Sequence, residues 1–573
     1  MDLSDARSQR KNLPIGIDDY KDLIDEGYVY IDKTLLIKEF WENKSKVTLV
    51  TRPRRFGKSI SLSMLRYFFE KTDQSMTYLF KNSLIWKEES FKDLQGVYPV
   101  IFISFKDIKG PTWEQAYQEI QELLTQEILR TLEIIEEKMS VHYREKYQAL
   151  LNKTANEAQF SGSLLLITQV LKKHTGRNTI VLIDEYDSPI THAYAHKFYD
   201  KMVDFMRQLL SKVLKGNSNL FRGFMTGVVR TAKDGILSGL NNLDICTMLD
   251  AGYSDKFGFT EEEIEQLLQK VGYLSKKEEI KVWYNGYTIG IKNTTPAKTY
   301  NPWSVLQYIK STCVPETYWA NTGNTKILEN LVAEASEETQ KDLQLLVEGK
   351  SLENKHIDQD VILLDLNKKN IEPWSFLFFA GYLTAVKHVF QNNKHYYTLS
   401  IPNQEIAELY KKLVVSTIDK TFASSLKLTT LLEALVSGNI DPVNRLLGEF
   451  VAGMCSSHDL PQNDLERSLH LFVLGLLASL SEKYVIKSNL ESGYGRYDIL
   501  MHPKNKANLA VIIEFKKGES AQELESLSVQ ALKQIKEKRY ASLTRDFGYH
   551  GKVFCYGVAV FKKHLIAKLE LID

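Results

Sequence analysis

Short, nearly continuous apolar runs mark the N-terminal half of the chain. KVTLVT (46–51), YPVIFISF (98–105), the run 180–183 inside NTIVLIDEYD (178–187) and LFRGFMTGVVR (220–230) are each bounded by polar or turn-forming residues. Their length and β-branched or aromatic content predict strands buried on both faces. Between them, apolar residues recur at helical spacing: just after Ser59, through 112–175 with breaks near Asn152 and Ser161, and again near 197–215. Strands alternating with helices predict an α/β domain built on a parallel sheet. Residues 1–14 are polar and read as a flexible tail. The first domain is therefore placed at 15–250, with 112–175 as a helical insert.

The pattern then changes. From 250 to 295 it is helical, with Thr260 and Glu263 spaced as a capping box. YNPWSVLQYIK (300–310) predicts a helix with Pro302 in its first turn. These segments read as a helical lid over 251–345. PWSFLFFAGYLTAV (373–386) predicts an apolar helix, and HVFQNNKHYYTLSIPN (388–403) a β-hairpin. Helix plus hairpin suggests a winged-helix-like unit, read as packing against the nucleotide domain rather than reading DNA, followed by connector helices to 460. The last unit, 461–573, runs helix, three strands, helix, strand.

Composition narrows the class. At 573 residues the chain has room for three or four domains, and 43% hydrophobic with 25% charged residues is ordinary for a soluble globular protein. The net charge of +1 excludes a global basic field, so contact with nucleic acid needs a local patch. Cys246, Cys313, Cys455 and Cys555 are widely spaced, which suggests neither a zinc site nor a disulfide framework. With no apolar leader and no run of membrane-spanning length, a reducing, cytoplasmic location and no membrane partner are expected.

Two stretches carry candidate chemistry. The first is RPRRFGKS (52–59), between a strand and a helix, the context a phosphate-binding loop requires. Arg52 stands where the motif G-x-x-x-x-G-K-[ST] has its first glycine, but Gly57, Lys58 and Ser59 are intact. Gly57 admits the backbone close to phosphates, Lys58 reaches them, and Ser59 ligates Mg²⁺. Arg54 and Arg55 add positive charge. The run 180–183 ends in Asp184-Glu185, where Asp184 would hold the Mg²⁺ and Glu185 would polarise an attacking water; an acidic turn after a core strand is the plain alternative. Thr226, at the end of its strand, is placed to sense a terminal phosphate, and Arg230 is a weaker candidate.

The second stretch is RYDILMHPKNKANLAVIIEFKK (496–517), two apolar strands joined by a polar loop at 502–508. Closure about residue 506 puts Asp498 opposite Glu514. Glu514 and Lys516, two apart on a strand, share a face while Phe515 points away. Two carboxylates and an ammonium on one patch suit a hard cation and phosphodiester hydrolysis. An edge hairpin with a solvated charged face is the alternative.

Taken together, GIDDYKDLIDEGYVYIDKT, TRPRRFGKS, YPVIFISF, VLIDEYDSPI, FMTGVVR with SGLNNL, YNGY, GYLT and ESGYGRYDI with IEFK resemble a bacterial two-domain family. That family pairs an N-terminal AAA-ATPase-like domain with a C-terminal PD-(D/E)XK nuclease domain. Its phosphate loop also carries RPRRFGKS, so the resemblance implies that Arg52 does not mark a dead ATPase. It implies Asp498, Glu514 and Lys516 as the nuclease motif and Glu466 as the first-helix acid. It further implies Gln534 near the site, with Tyr540 and Glu491 as weaker members. The expected function is an ATP-regulated, Mg²⁺-dependent nuclease, with Mn²⁺ an alternative at the nuclease site. DNA is favoured over RNA as substrate, and defence against phage or mobile elements is the biological setting suggested by analogy. A nucleotide-switched binding module without cleavage, or a DNA-stimulated ATPase motor, are the alternatives. ATPases of this style often assemble into homo-oligomers, so the number of copies stays open.

Overall fold

The computed structural model describes residues 12–135, 141–230, 242–293, 295–319, 337–347, 349–359, 373–410, 425–457, 483–488, 491–492, 495–496, 498–505, 507–538 and 549–572, with single positions 240, 412, 473 and 480. They fall into two compact units: Met1–Thr325 with Ser351–Ile406, and Lys326–Lys350 with Ala407–Asp573. The stretch 346–460 therefore does not form a unit of its own. Its hairpin belongs to the first unit and its later helices to the second.

The first unit is built on β1 (Val47–Thr51), β2 (Val100–Ser104), β3 (Thr179–Asp184), β4 (Leu220–Gly227) and β5 (Leu243–Cys246). They form one parallel sheet in the order β2-β3-β4-β1-β5. The four apolar runs read from the sequence become β1 to β4, and β1 and β3 are buried along their whole length. β5, LDIC, is a four-residue strand that is only partly buried and carries no such signal. Parallel pairing brings the C-terminal ends of β1, β3 and β4 to one edge, where ligands bind in open α/β sheets.

The 112–175 insert is helical, with its longest helix at Trp113–Ile135. That helix is docked on the sheet through Arg130. The guanidinium donates to Glu127 Oε1 and Oε2 at 2.6 and 2.8 Å and to the Val100 carbonyl at 2.6 Å, and it also bonds Glu70. Glu70 caps α1 (Lys58–Phe69), so the insert is wired to the helix that follows the phosphate loop.

Helices Glu261–Val271, Lys277–Tyr284 and Pro302–Lys310 share one apolar core. Thr260 and Glu263 form the expected capping box. The helical reading of 250–295 is corrected at its end, where β6 (Tyr287–Ile289) pairs antiparallel with β7 (Ala297–Thr299). Strands of three residues are too short to show a period of two. β8 (Leu352–Lys355), β9 (Thr384–Gln391) and β10 (Lys394–Ser400) form a sheet in the order β8-β10-β9. The β9–β10 turn is Asn392-Asn393, both left-handed at φ 52° and 56°, as a two-residue hairpin turn requires.

The second unit carries a mixed sheet of β11 (Tyr484–Ser488), β14 (Ile499–Pro503), β15 (Ala510–Lys517), β16 (Val553–Phe561) and β17 (His564–Ile572), in that spatial order. A two-residue ribbon of β12 (Glu491–Ser492) and β13 (Gly495–Arg496) lies between β11 and β14 in sequence. Helix α2 (Leu524–Glu537) connects β15 to the parallel strand β16. It approaches closely at Gly557, where a Cβ would stand 2.2 Å from the Ser528 carbonyl oxygen. Strand, strand, strand, helix, strand is the expected order, and β17 is added to it. The helix expected near 463–484, with Glu466, lies outside the described residues but for positions 473, 480, 483 and 484.

Candidate nucleotide and metal sites

The phosphate-type loop leaves β1 at Thr51 and enters α1 at Lys58. Two of its residues are left-handed, Arg55 at φ 65° and Gly57 at φ 81°, and only glycine adopts that backbone without cost. Arg52, at the position of the missing glycine, is fully buried. Its guanidinium donates to the carbonyls of Thr51, Cys246, Gly252 and Tyr253 at 2.8–3.2 Å. It ties the end of β1 to the end of β5 and the segment after it. Arg52 thus holds the loop from beneath rather than meeting a ligand.

Lys58 is buried and its ammonium donates to the carbonyls of Arg52 at 3.1 Å and Pro53 at 2.9 Å. Burial holds it below the ordinary lysine pKa, and Glu185, Asp184 and Asp187 oppose that shift. Ser59 Oγ donates to Asp184 Oδ2 at 2.6 Å, and Thr226 Oγ1 donates to Asp184 Oδ1 at 2.6 Å. Ser104, at the end of β2, adds a third hydroxyl at 3.3 Å. The expected residues Lys58, Ser59, Asp184 and Thr226 are therefore assembled at one edge of the sheet. Glu185 is left-handed at φ 49° and its pKa is raised by burial, an effect Lys58 offsets.

Arg54 and Arg55 part company. Arg54 is exposed, and its charge acts on both Lys58 and Glu185. Arg55 lies over the Trp303 ring, 4.3 Å from its centroid. Arg222 starts β4 at the opposite end from Thr226, and its guanidinium donates to the carbonyls of Phe40, at 2.7 Å, and Trp41. That position removes it from the arginines able to reach this edge within one chain.

Sequence reasoning missed Asp187. It is buried, with its pKa raised by burial, and its Oδ2 accepts from the amides of Val228 and Val229 at 2.8 and 2.9 Å. Tyr186 adds a bond from its hydroxyl to the Val229 carbonyl at 2.9 Å. The segment after β3 is thus clamped to the segment after β4. The loop is also held from outside. Gly258 N–H donates to the Phe56 carbonyl at 3.2 Å, and Trp319 Nε1 donates to the Arg54 carbonyl at 3.0 Å. A Cβ on Gly381 would lie 2.8 Å from Pro53 Cβ.

In the second unit the hairpin register is the expected one: Ile499 pairs with Ile513, which continues to Asp498 opposite Glu514. β15 has partners on both sides, β14 and β16, so the edge-hairpin alternative is set aside. Glu514 is buried in the sheet's interior face. The Gln534 carboxamide on α2 donates to Glu514 Oε1 and accepts from Lys516 Nζ. Glu514 and Lys516 therefore share a face, while Phe515 is buried and its N–H donates to Asp498 Oδ2 at 2.7 Å. Two carboxylates beside one ammonium fit a hard divalent cation. Among the described residues no group of three or more His, Cys, Asp or Glu side chains is placed to hold a metal. Glu466 and Tyr540 lie outside the described residues, as does the side chain of Glu491.

With this geometry in place, residues 14–237 match the family model described as "Predicted AAA-ATPase", and residues 464–570 match the model of the PD-(D/E)XK nuclease superfamily. The chain is also 26% identical over 552 residues to a protein of Azotobacter chroococcum mcd 1 described as "Uncharacterized protein in vnfD 5'region", covering 94% of this chain and 95% of that one. Among the described residues no helix is long and apolar enough to cross a membrane.

Proposed function

We propose that this chain, which joins an AAA-ATPase-like domain to a PD-(D/E)XK nuclease-superfamily domain, is a Mg²⁺-dependent nuclease that cuts DNA under the control of ATP. The observation that supports this reading is Gln534 of α2 bonded to both Glu514 and Lys516 of β15, with Asp498, the residue before β14, accepting from the Phe515 amide between them. A binding module has no need of an ammonium hydrogen-bonded beside a buried carboxylate. Asp498 and Glu514 are the residues that would hold the cation. A cation held there would supply an activated water and offset charge on the phosphodiester. Lys516 adds positive charge for the same phosphate, and Gln534 fixes the rotamers of both its partners. The Phe515 amide keeps Asp498 oriented toward the end of β15.

In the first unit, Gly57, Lys58, Ser59 and Asp184 would hold the phosphates and metal of ATP, with Arg54 at the exposed side. Lys58 and Ser59 are already bonded to the loop carbonyls and to Asp184, so ligand binding exchanges these bonds rather than creating order from a mobile loop. Thr226 touches Asp184 and leads into the clamped segment Val228–Val229, which makes β4 the element that registers nucleotide state. Plasmid incubated with purified protein, Mg²⁺ and ATP tests the reading. Wild type should cut and Glu514→Ala should not. Equal cutting by both, or none by either across DNA substrates and nucleotide states, overturns it.

A further inference from the structure

The β9–β10 hairpin carries a run of rings on one face. Tyr397 lies directly opposite His388, and His395 opposite Phe390. The ring centroids step from Tyr397 to His388 at 5.1 Å, to His395 at 5.0 Å and to Phe390 at 4.7 Å. The first two steps are near-parallel, at 27° and 21°. The run begins at buried Tyr397 and ends at Phe390, which is 60% exposed. Val386 is exposed on the same strand, and exposed Val389 lies on its opposite face. A sheet edge that wears large apolar groups in water has a use for them.

Charge selects the occupant. No Asp or Glu occurs between 381 and 403. Lys387 and Lys394 are exposed, and among the described residues neither is in an ion pair. They leave the face opposite the rings; Lys387 stands on the edge strand β9 and Lys394 beside the turn at the start of β10, so their long side chains are open to a backbone passing around that end of the hairpin. Exposed rings that end a stack, flanked by unopposed ammonium groups, are what an unpaired nucleic-acid strand recognises: bases stack and phosphates pair. An acidic protein would satisfy the lysines but not the ring face, and a duplex would keep its bases stacked on each other.

We propose that the β9–β10 hairpin is a binding site for single-stranded DNA, on which an unstacked base extends the ring ladder at Phe390 and Lys387 and Lys394 meet the neighbouring phosphates. This rests on the reading of the chain as a DNA-acting enzyme, and it places a grip on the substrate in the unit that carries the nucleotide site.

The test is fluorescence polarisation of a labelled oligothymidylate with the full chain in EDTA, which separates binding from cutting. Phe390→Ala should weaken binding about 10-fold, the scale of one base–aromatic stack, and Phe390→Trp should restore it. Lys387→Glu with Lys394→Glu should weaken it by a similar factor and flatten its dependence on salt. Wild-type binding by Phe390→Ala overturns the proposal, as does a Phe390→Ala chain that changes its oligomeric state but not its DNA affinity. A wild-type chain that binds but does not cut defeats the nuclease reading and leaves the hairpin standing; a chain that cuts while Phe390→Ala binds normally does the reverse.

Discussion

The carboxamide of Gln534, in the last turn of α2, donates to the carboxylate of Glu514, on the central strand of the sheet. Its oxygen is at the same time the acceptor for Lys516, so one side chain fixes the spacing of acid and base. Outer partners of this kind tune affinity rather than create it. Gln534→Ala should therefore lower cleavage about 10- to 100-fold with a matching rise in the Mg²⁺ needed, whereas Glu514→Ala should remove cleavage at any Mg²⁺. A Mg²⁺ titration of plasmid cutting distinguishes the two.

Arg52→Gly would restore the missing letter of the phosphate-loop motif, yet it should harm the protein. The change strips four carbonyls of their buried donor. Loss of a buried, charge-assisted network costs about 3 kcal/mol or more. A clear fall in the first unit's melting temperature, with no gain in ATP affinity, is the expected result of calorimetry.

Lys58→Ala should abolish ATP binding in a calorimetric titration while circular dichroism stays native. The ammonium is the group proposed to reach phosphate, and in the free protein it donates to the carbonyls of Arg52 and Pro53. Full ATP affinity in this variant would remove the assignment of the loop.

Glu405 supplies a pH dependence. It is fully buried, accepts from Ser304 Oγ at 2.7 Å and from the Trp319 amide at 2.6 Å, and its pKa is pushed up to about 7 by burial. A carboxyl with a raised folded-state pKa stabilises the fold below its unfolded value near 4.5 and loses that contribution as pH rises through about 7. Glu405→Gln keeps the shape and removes the proton. Relative to this variant, wild type should lose on the order of 3 kcal/mol between about pH 4.5 and 8. Paired denaturant melts across that range measure it; a constant difference would show that Glu405 stays protonated or ionised throughout.

Much of the phosphate edge was legible in sequence because its residues sit at fixed offsets from strand ends. Gly57-Lys58-Ser59 follows β1, Asp184 ends β3 and Thr226 nearly ends β4. Parallel pairing then brings those ends together without further information. Asp187 escaped notice because nothing local distinguishes it from a polar turn; its two backbone donors, Val228 and Val229, are remote in sequence. Arg52 reads as a defect in a motif and is a buried strut, since its acceptors come from β5 and beyond.

The hairpin divides in the same way. Closure of the polar loop about residue 506 sets the register that places Asp498 opposite Glu514, and the pairing of Ile499 with Ile513 keeps it. Whether that hairpin was an exposed edge or the centre of a sheet depended on β16, which returns through α2 to pair parallel with β15. Only that long-range pairing buries Glu514 and brings Gln534 over it. Sequence by itself determined which residues share a strand face. The tertiary structure decided which faces are dry, and so which charges act as a site, because burial and pairing are set by segments distant along the chain.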